Sequence, residues 1–234
     1  IVAQFPVRFW ERIAVIFYAA ALLSLLAVLL FGIEAKGATR WLNLGFTRFQ
    51  PSEIAKIAVP LMVSAYLSRH IIPPSIKHVV GALLIVAVPA FLILRQPDLG
   101  TSILVFASGF FVLFLAGLRK RYLVGSFFTA LAAAPLLWLY VMRDYQKQRV
   151  LTLLSPEDDK FGAGWNIIQS TTAIGSGGLS GKGWTEGTQS QLNFLPESHT
   201  DFIIAVLAEE FGLLGVLVLC ALYLLLVGYC MIIA

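Results

Sequence analysis

Lys56 is the residue whose setting first suggests chemistry. It follows Pro51-Ser52-Glu53-Ile54-Ala55, so a helix starting near Ser52 carries its ammonium about one turn inside an apolar segment, roughly 6 Å along the axis. An ionisable group there is costly unless paired or hydrated, and is a functional candidate by default. The plain alternative is a lysine snorkelling to the headgroups. Glu53, three residues earlier, reaches the same helix face and can neutralise it, and Arg48 and Gln50 come just before. Asp201 has the same duality. Ser198 is a predicted N-cap with Asp201 three residues later, which reads as a capping box. It also reads as a carboxylate held at a membrane surface, suited to general-base work. His199 is placed to assist it or to hydrogen-bond within its loop. His70, His78 and His199 are too scattered for a zinc site.

Other polar groups are equally two-sided. Glu209 and Glu210 are adjacent carboxylates in apolar sequence, so at least one should pair with a base or a polar helix end. The string Gly175-Ser176-Gly177-Gly178-Leu179-Ser180-Gly181-Lys182-Gly183 imitates a phosphate loop, but the Walker pattern needs Ser or Thr where Gly183 stands. Its amides could still cradle a diphosphate as an anion nest. Trp41, beside Arg40, suits either an interfacial anchor or a platform for a sugar ring.

The elements that position these groups follow from composition. Of 234 residues, 59% are apolar and 13% charged, with 17 Phe and 5 Trp and a mean hydropathy of +0.84. A soluble domain needs about twice that charge. The pattern predicts an all-α polytopic membrane protein with six recognisable spans, near residues 13–31, 54–67, 79–94, 99–118, 123–142 and 202–234. The second begins earlier than hydropathy alone shows, at Pro51-Ser52-Glu53. Pro89 and Pro135 predict kinks. The last span is longer than one crossing needs, so it tilts or breaks at Gly212 or Gly215. Residues 1–234 read as one integral membrane domain. Residues 143–200 form a long Gly-rich loop within it, whose apolar residues (Trp165, Ile167, Ile168, Phe194) argue against disorder. The absence of an initiator Met and the apolar end at Ala234 suggest an internal piece of a longer protein. Cys220 and Cys230 suggest no disulfide framework or metal pair.

Net charge is +4. In this setting it points to anionic lipid and cytoplasmic loops, not nucleic acid. Counting crossings places Arg8, Arg12, Arg69, Lys77, Arg119, Lys120 and Arg121 on one face, and Lys36, Arg40, Arg48 and Arg95 on short connections of the other. The first face is predicted to be cytoplasmic. The turn before Lys56, the long loop and Asp201 then share the extracytoplasmic face.

Longer strings carry a family resemblance. They are Lys36-Gly37-Ala38-Thr39-Arg40-Trp41-Leu42, Arg48-Phe49-Gln50-Pro51-Ser52-Glu53-Ile54-Ala55-Lys56, Gln96-Pro97-Asp98-Leu99-Gly100-Thr101-Ser102 and Asp144-Tyr145-Gln146-Lys147-Gln148-Arg149. The series continues with Gly181-Lys182-Gly183, Gly187-Thr188-Gln189-Ser190-Gln191 and Phe194-Leu195-Pro196-Glu197-Ser198-His199-Thr200-Asp201-Phe202. In this order, across nearly the whole chain, they resemble the SEDS family of bacterial membrane proteins. Gly187-Thr188-Gln189-Ser190-Gln191 resembles its rod-shape-determining branch more than its division branch.

The resemblance implies a fold of about ten transmembrane helices, with this chain supplying the third to the eighth. It implies a peptidoglycan glycosyltransferase of the inner membrane that polymerises lipid II on the extracytoplasmic side during cell elongation. It implies work with a class B penicillin-binding protein, other elongation-complex proteins and membrane lipid. Asp201, Lys56 and Glu53 match positions tied to catalysis. Arg48, Trp41, Lys182, Gln191 and His199 are the substrate-binding candidates. Mg²⁺ or Mn²⁺ is implied as a cofactor, without an identifiable ligand set. Two other classes remain open, a flippase for lipid-linked precursor and a noncatalytic scaffold.

Overall fold

Each of the six predicted spans is helical, with displaced ends. The computed structural model describes residues 4–35, 38–43, 45, 48–160, 162–191 and 200–233. The chain divides into two compact units, Ile1–Val141 and Met142–Ala234. In the first unit α1 is Val7–Phe31, α2 Pro51–Leu67, α3 Ile76–Arg95, α4 Leu99–Leu115 and α5 Lys120–Leu136, continued by a π-helical turn at Leu137–Val141. α1 starts a turn and a half before the apolar run, after Pro6 in an extended conformation. Hydropathy had trimmed its charged first turns. α2 starts at Pro51, whose missing N–H costs nothing at a helix start. The π turn follows directly on Pro135, which removes one backbone donor from the helical ladder.

Among the described residues, four helices are long and apolar enough to cross a bilayer, Val7–Phe31, Ile76–Arg95, Lys120–Val141 and Ile203–Ile233, with Leu99–Leu115 shorter. The protein is a multi-pass membrane protein. One feature departs from pure helix. β1 (Ile33–Ala35), β2 (Ala38–Asn43) and β3 (Arg48–Phe49) form a three-stranded antiparallel sheet between α1 and α2. Thr39 and Trp41 suit a pleated strand, but the run is too short to register in a span-length hydropathy window.

α1 to α4 enclose the core of this unit. Leu25, Val59, Val63, Val86, Ile93, Val105 and Leu113 are buried together. Lipid tails are as apolar as these side chains, so association rests on close packing and interhelical hydrogen bonds. Both are present. A Cβ on Gly109 would collide with Val86 and Val59, so the small residue sets how closely α4 approaches its neighbours. The Tyr18 hydroxyl donates to the Ile85 carbonyl at 2.7 Å, the Ser102 hydroxyl to Ala90 at 2.7 Å, and the Gln96 amide to Leu25 at 3.0 Å.

The second unit converts most of the predicted loop into helix. α6 spans Asp144–Leu154, a 3-10 turn Pro156–Asp159, α7 Ala163–Ser176, α8 Thr188–Gln191 and α9 Ile203–Ile233. α7 packs on α9 through Ala173 and Ala205, with Phe202 and Val206 against them. The expected break in the last span falls at Gly212, where φ is 65° and ψ is −164°, a conformation essentially restricted to glycine.

Candidate functional site

At one end of the first unit, the sheet links Trp41, Arg40 and Arg48 to the start of α2. Asn43 on β2 pairs with Arg48 on β3, and Leu42 with Phe49. Two residues after the sheet, α2 begins and brings up Glu53 and Lys56. Lys56 Nζ lies 2.7 Å from Glu53 Oε2, with side chains 37% and 57% exposed. The expected neutralisation of the lysine is thus made within one helix turn, and the pair remains accessible.

On β2, Arg40 Nε lies 3.3 Å from Asp98 Oδ2, and the Arg40 guanidinium also donates to the Pro97 carbonyl at 3.3 Å. Asp98 Oδ1 accepts from the Thr101 amide at 3.2 Å, capping α4. One aspartate therefore fixes both a helix start and the strand that carries Trp41. Sequence reasoning assigned no role to Arg40, Gln96 or Asp98. An available signal was an Asp directly before an apolar helix, the N-cap pattern.

In the second unit, Asp201 is exposed in the turn preceding α9. The Phe202 carbonyl accepts from Ala205 at 2.9 Å and from Val206 at 3.2 Å. Phe202 is therefore the cap and Asp201 precedes it, so the predicted capping box with Asp201 inside the first turn is not formed. Asp201 itself is exposed at this turn. His199 lies outside the described residues, as does Ser198, and only the backbone of Gln191 is described, at the end of α8.

The glycine string has a different role from a nest. Breaking α9 at Gly212 leaves backbone groups without helical partners, and at membrane depth these must be satisfied by protein. The segment after α7 supplies the partners. Lys182 and Gly183 amides donate to the Glu209 and Glu210 carbonyls at 3.0 Å each. Leu213 and Leu214 amides donate to the Gly178 and Leu179 carbonyls at 2.9 and 3.1 Å. Gly181, at φ +79°, would drive a Cβ into the Glu210 carbonyl. The amides of Lys182 and Gly183 are consumed and cannot bind a diphosphate.

Glu209, fully buried, accepts from Lys182 Nζ at 2.7 Å, Thr188 Oγ1 at 3.2 Å and the Gln189 amide at 3.0 Å. Glu210 accepts from the Thr185 amide at 3.1 Å. The base expected for these carboxylates is Lys182, 27 residues distant in sequence. Among the described residues, no group of three or more His, Cys, Asp or Glu could hold a metal ion.

Comparison with known proteins places the whole chain in a family. The model of the cell cycle proteins FtsW, RodA and SpoVE matches residues 1–234. The chain belongs to this family. It is 57% identical over 227 residues to the peptidoglycan glycosyltransferase MrdB of Escherichia coli strain K12, covering 97% of this chain and 61% of that protein. It is 40% identical over 230 residues to the probable peptidoglycan glycosyltransferase FtsW of Idiomarina loihiensis, covering 97% and 56%.

Among solved structures, a peptidoglycan synthase complex that coordinates polymerization and crosslinking is similar with a TM-score of 0.72 and 33% identity, over 95% of this chain and 61% of that one. The rod shape determining protein RodA of Thermus thermophilus is similar with a TM-score of 0.57 and 31% identity, over 95% and 56%. The chain thus spans about three fifths of the length of the curated relatives it matches.

Proposed function

We propose that this chain is a membrane-spanning part of a peptidoglycan glycosyltransferase that extends glycan strands from lipid II. The observation that carries the reading is the 57% identity to MrdB across 97% of the chain. In this reading the 4-hydroxyl of the acceptor sugar attacks the anomeric carbon of the donor. The C–O bond to the diphosphate breaks, and undecaprenyl diphosphate leaves. Asp201 takes the hydroxyl proton or orients that hydroxyl, as its exposed place outside the α9 cap allows.

Lys56 and Arg48 meet charge developing on the diphosphate, with Glu53 setting the position of Lys56. Trp41 offers a stacking face to a sugar. His199 and Gln191 are assigned to the substrate alongside Asp201, on sequence grounds. Mg²⁺ or Mn²⁺ is the proposed cofactor, as the family resemblance implies; among the described residues no group of three or more His, Cys, Asp or Glu could hold it. The active face is extracytoplasmic at the inner membrane, and a class B penicillin-binding protein is the partner. Similarity to a complex of polymerization and crosslinking supports that pairing.

The helix break at Gly212, with the carboxylates of Glu209 and Glu210 beside it, also suits a transporter, since broken helices line transport sites. Its backbone groups and the Glu209 carboxylate are occupied by the chain's own residues, which favours a fixed scaffold over an ion path. The test uses the full-length protein with its transpeptidase and labelled lipid II. Wild type and a transpeptidase-inactivated complex should both make strands. Asp201→Asn should fall by about 10²- to 10⁴-fold, the range of a lost general base, with unchanged folding. Near-normal polymerisation by Asp201→Asn would remove the base assignment. No strands from any folded sample would remove the enzyme reading.

A further inference from the structure

We infer that Glu209 is a positioning residue for the reaction, its buried carboxylate pinning the Lys182–Gln189 segment to the helix that Asp201 leads. The inference rests on the glycosyltransferase reading above. Glu209 is fully buried, and a carboxylate there is tolerated only when paired and hydrogen-bonded. Among the described residues, donors to it come from the Lys182 ammonium, the Thr188 hydroxyl that opens α8, and the Gln189 amide, all along one segment. Lys182 Nζ also donates to Thr188 Oγ1 at 2.8 Å, closing a ring of contacts.

The neighbouring carboxylate repeats the pattern, Glu210 holding the Thr185 amide. Both carboxylates belong to α9, on the N-terminal side of its break and eight and nine residues after Asp201. At about 1.5 Å per residue the Glu209 tie lies roughly 10 Å along the helix from its cap at Phe202, the residue after the aspartate. A purely mechanical clasp already exists in the backbone bonds across Gly212. The carboxylate adds a second fixation farther along the segment, at α8. In this arrangement Lys182 is committed to Glu209 and Thr188, so its loss or that of Glu209 should reduce turnover more than substrate capture.

The experiment pairs hydrogen exchange with kinetics on the full-length protein and its transpeptidase, in detergent, with labelled lipid II. Glu209→Gln removes the charge and keeps the shape. Glu209→Asp keeps the charge and withdraws it by one methylene, and serves if the glutamine variant does not fold. Peptides covering residues 182–191 should exchange at least tenfold faster in either variant, while α1 to α4 are unchanged. Turnover at saturating substrate should fall at least tenfold, with KM within about threefold. The aspartate variant should retain more turnover than the glutamine variant. Wild-type exchange in these variants overturns the tie. Faster exchange with wild-type turnover overturns its role in the reaction. If the wild type itself makes no strands, the glycosyltransferase reading fails, and the exchange measurement still decides whether Glu209 fixes the segment.

Discussion

Replacing Gly212 by Ala should be strongly destabilising, for two separate reasons. The backbone there has φ 65° and ψ −164°, and a non-glycine residue in such a region costs about 1–3 kcal/mol. The added Cβ also has no room. It would stand 2.6 Å from the Leu179 carbonyl oxygen and 2.7 Å from its carbon, and overpacking adds about 1–3 kcal/mol. The sum, about 2–6 kcal/mol, is a large share of the about 5–15 kcal/mol that holds a typical fold. At about 2–4 °C per kcal/mol for a chain of this size, Tm should fall by at least about 4 °C.

Alanine has a second route, which is to continue α9 as regular helix across position 212. That would withdraw the Glu209 and Glu210 carbonyls from Lys182 and Gly183, and the Leu213 and Leu214 amides from Gly178 and Leu179. The glycine segment would then be released, so both routes lower stability. The assay is recovery of monodisperse protein after heating in detergent. Gly125→Ala is the control, since nothing lies within 4 Å of a Cβ there. The control should be neutral or slightly stabilising, because alanine is the better helix former by about 0.5–1 kcal/mol. A Gly212→Ala protein that melts within about 2 °C of wild type would refute the argument.

Asp98→Ala should lower Tm by removing the α4 cap, at about 0.5–2 kcal/mol, and by stranding the partly buried Arg40. Asp98→Asn should be milder because it keeps the cap. Arg40→Ala combined with Asp98→Ala should be less than additive in a melting series. Lys56→Met and Glu53→Gln should leave Tm nearly unchanged, since an exposed pair at this spacing contributes at most about 1 kcal/mol. Lys56→Met should nonetheless depress strand formation at least tenfold in the lipid II assay, and equal loss of both Tm and activity would make the lysine structural.

Much of this protein was legible in its sequence because a bilayer imposes a length and a polarity that need no partners. Apolar runs, Pro51 at a helix start and Pro135 before the π turn are local signals, and so were the spans they marked. The Glu53–Lys56 pair was legible for the same reason, being three residues apart on one helix. Hydropathy could not see the small sheet, whose strands are shorter than its window. Nor could it fix where α9 begins, since the cap at Phe202 depends on which carbonyl the helix finally uses.

The glycine string is the clearest division. Its composition permits a phosphate nest, a flexible linker or a backbone clasp, and local sequence does not choose among them. Only the tertiary structure brings it against the break in α9, where the amides of Lys182 and Gly183 are taken up by carbonyls and the Lys182 ammonium by Glu209. The reason is physical. A buried carboxylate and a broken helix each require partners, the sequence states the requirement, and only the folded chain decides which distant residues meet it.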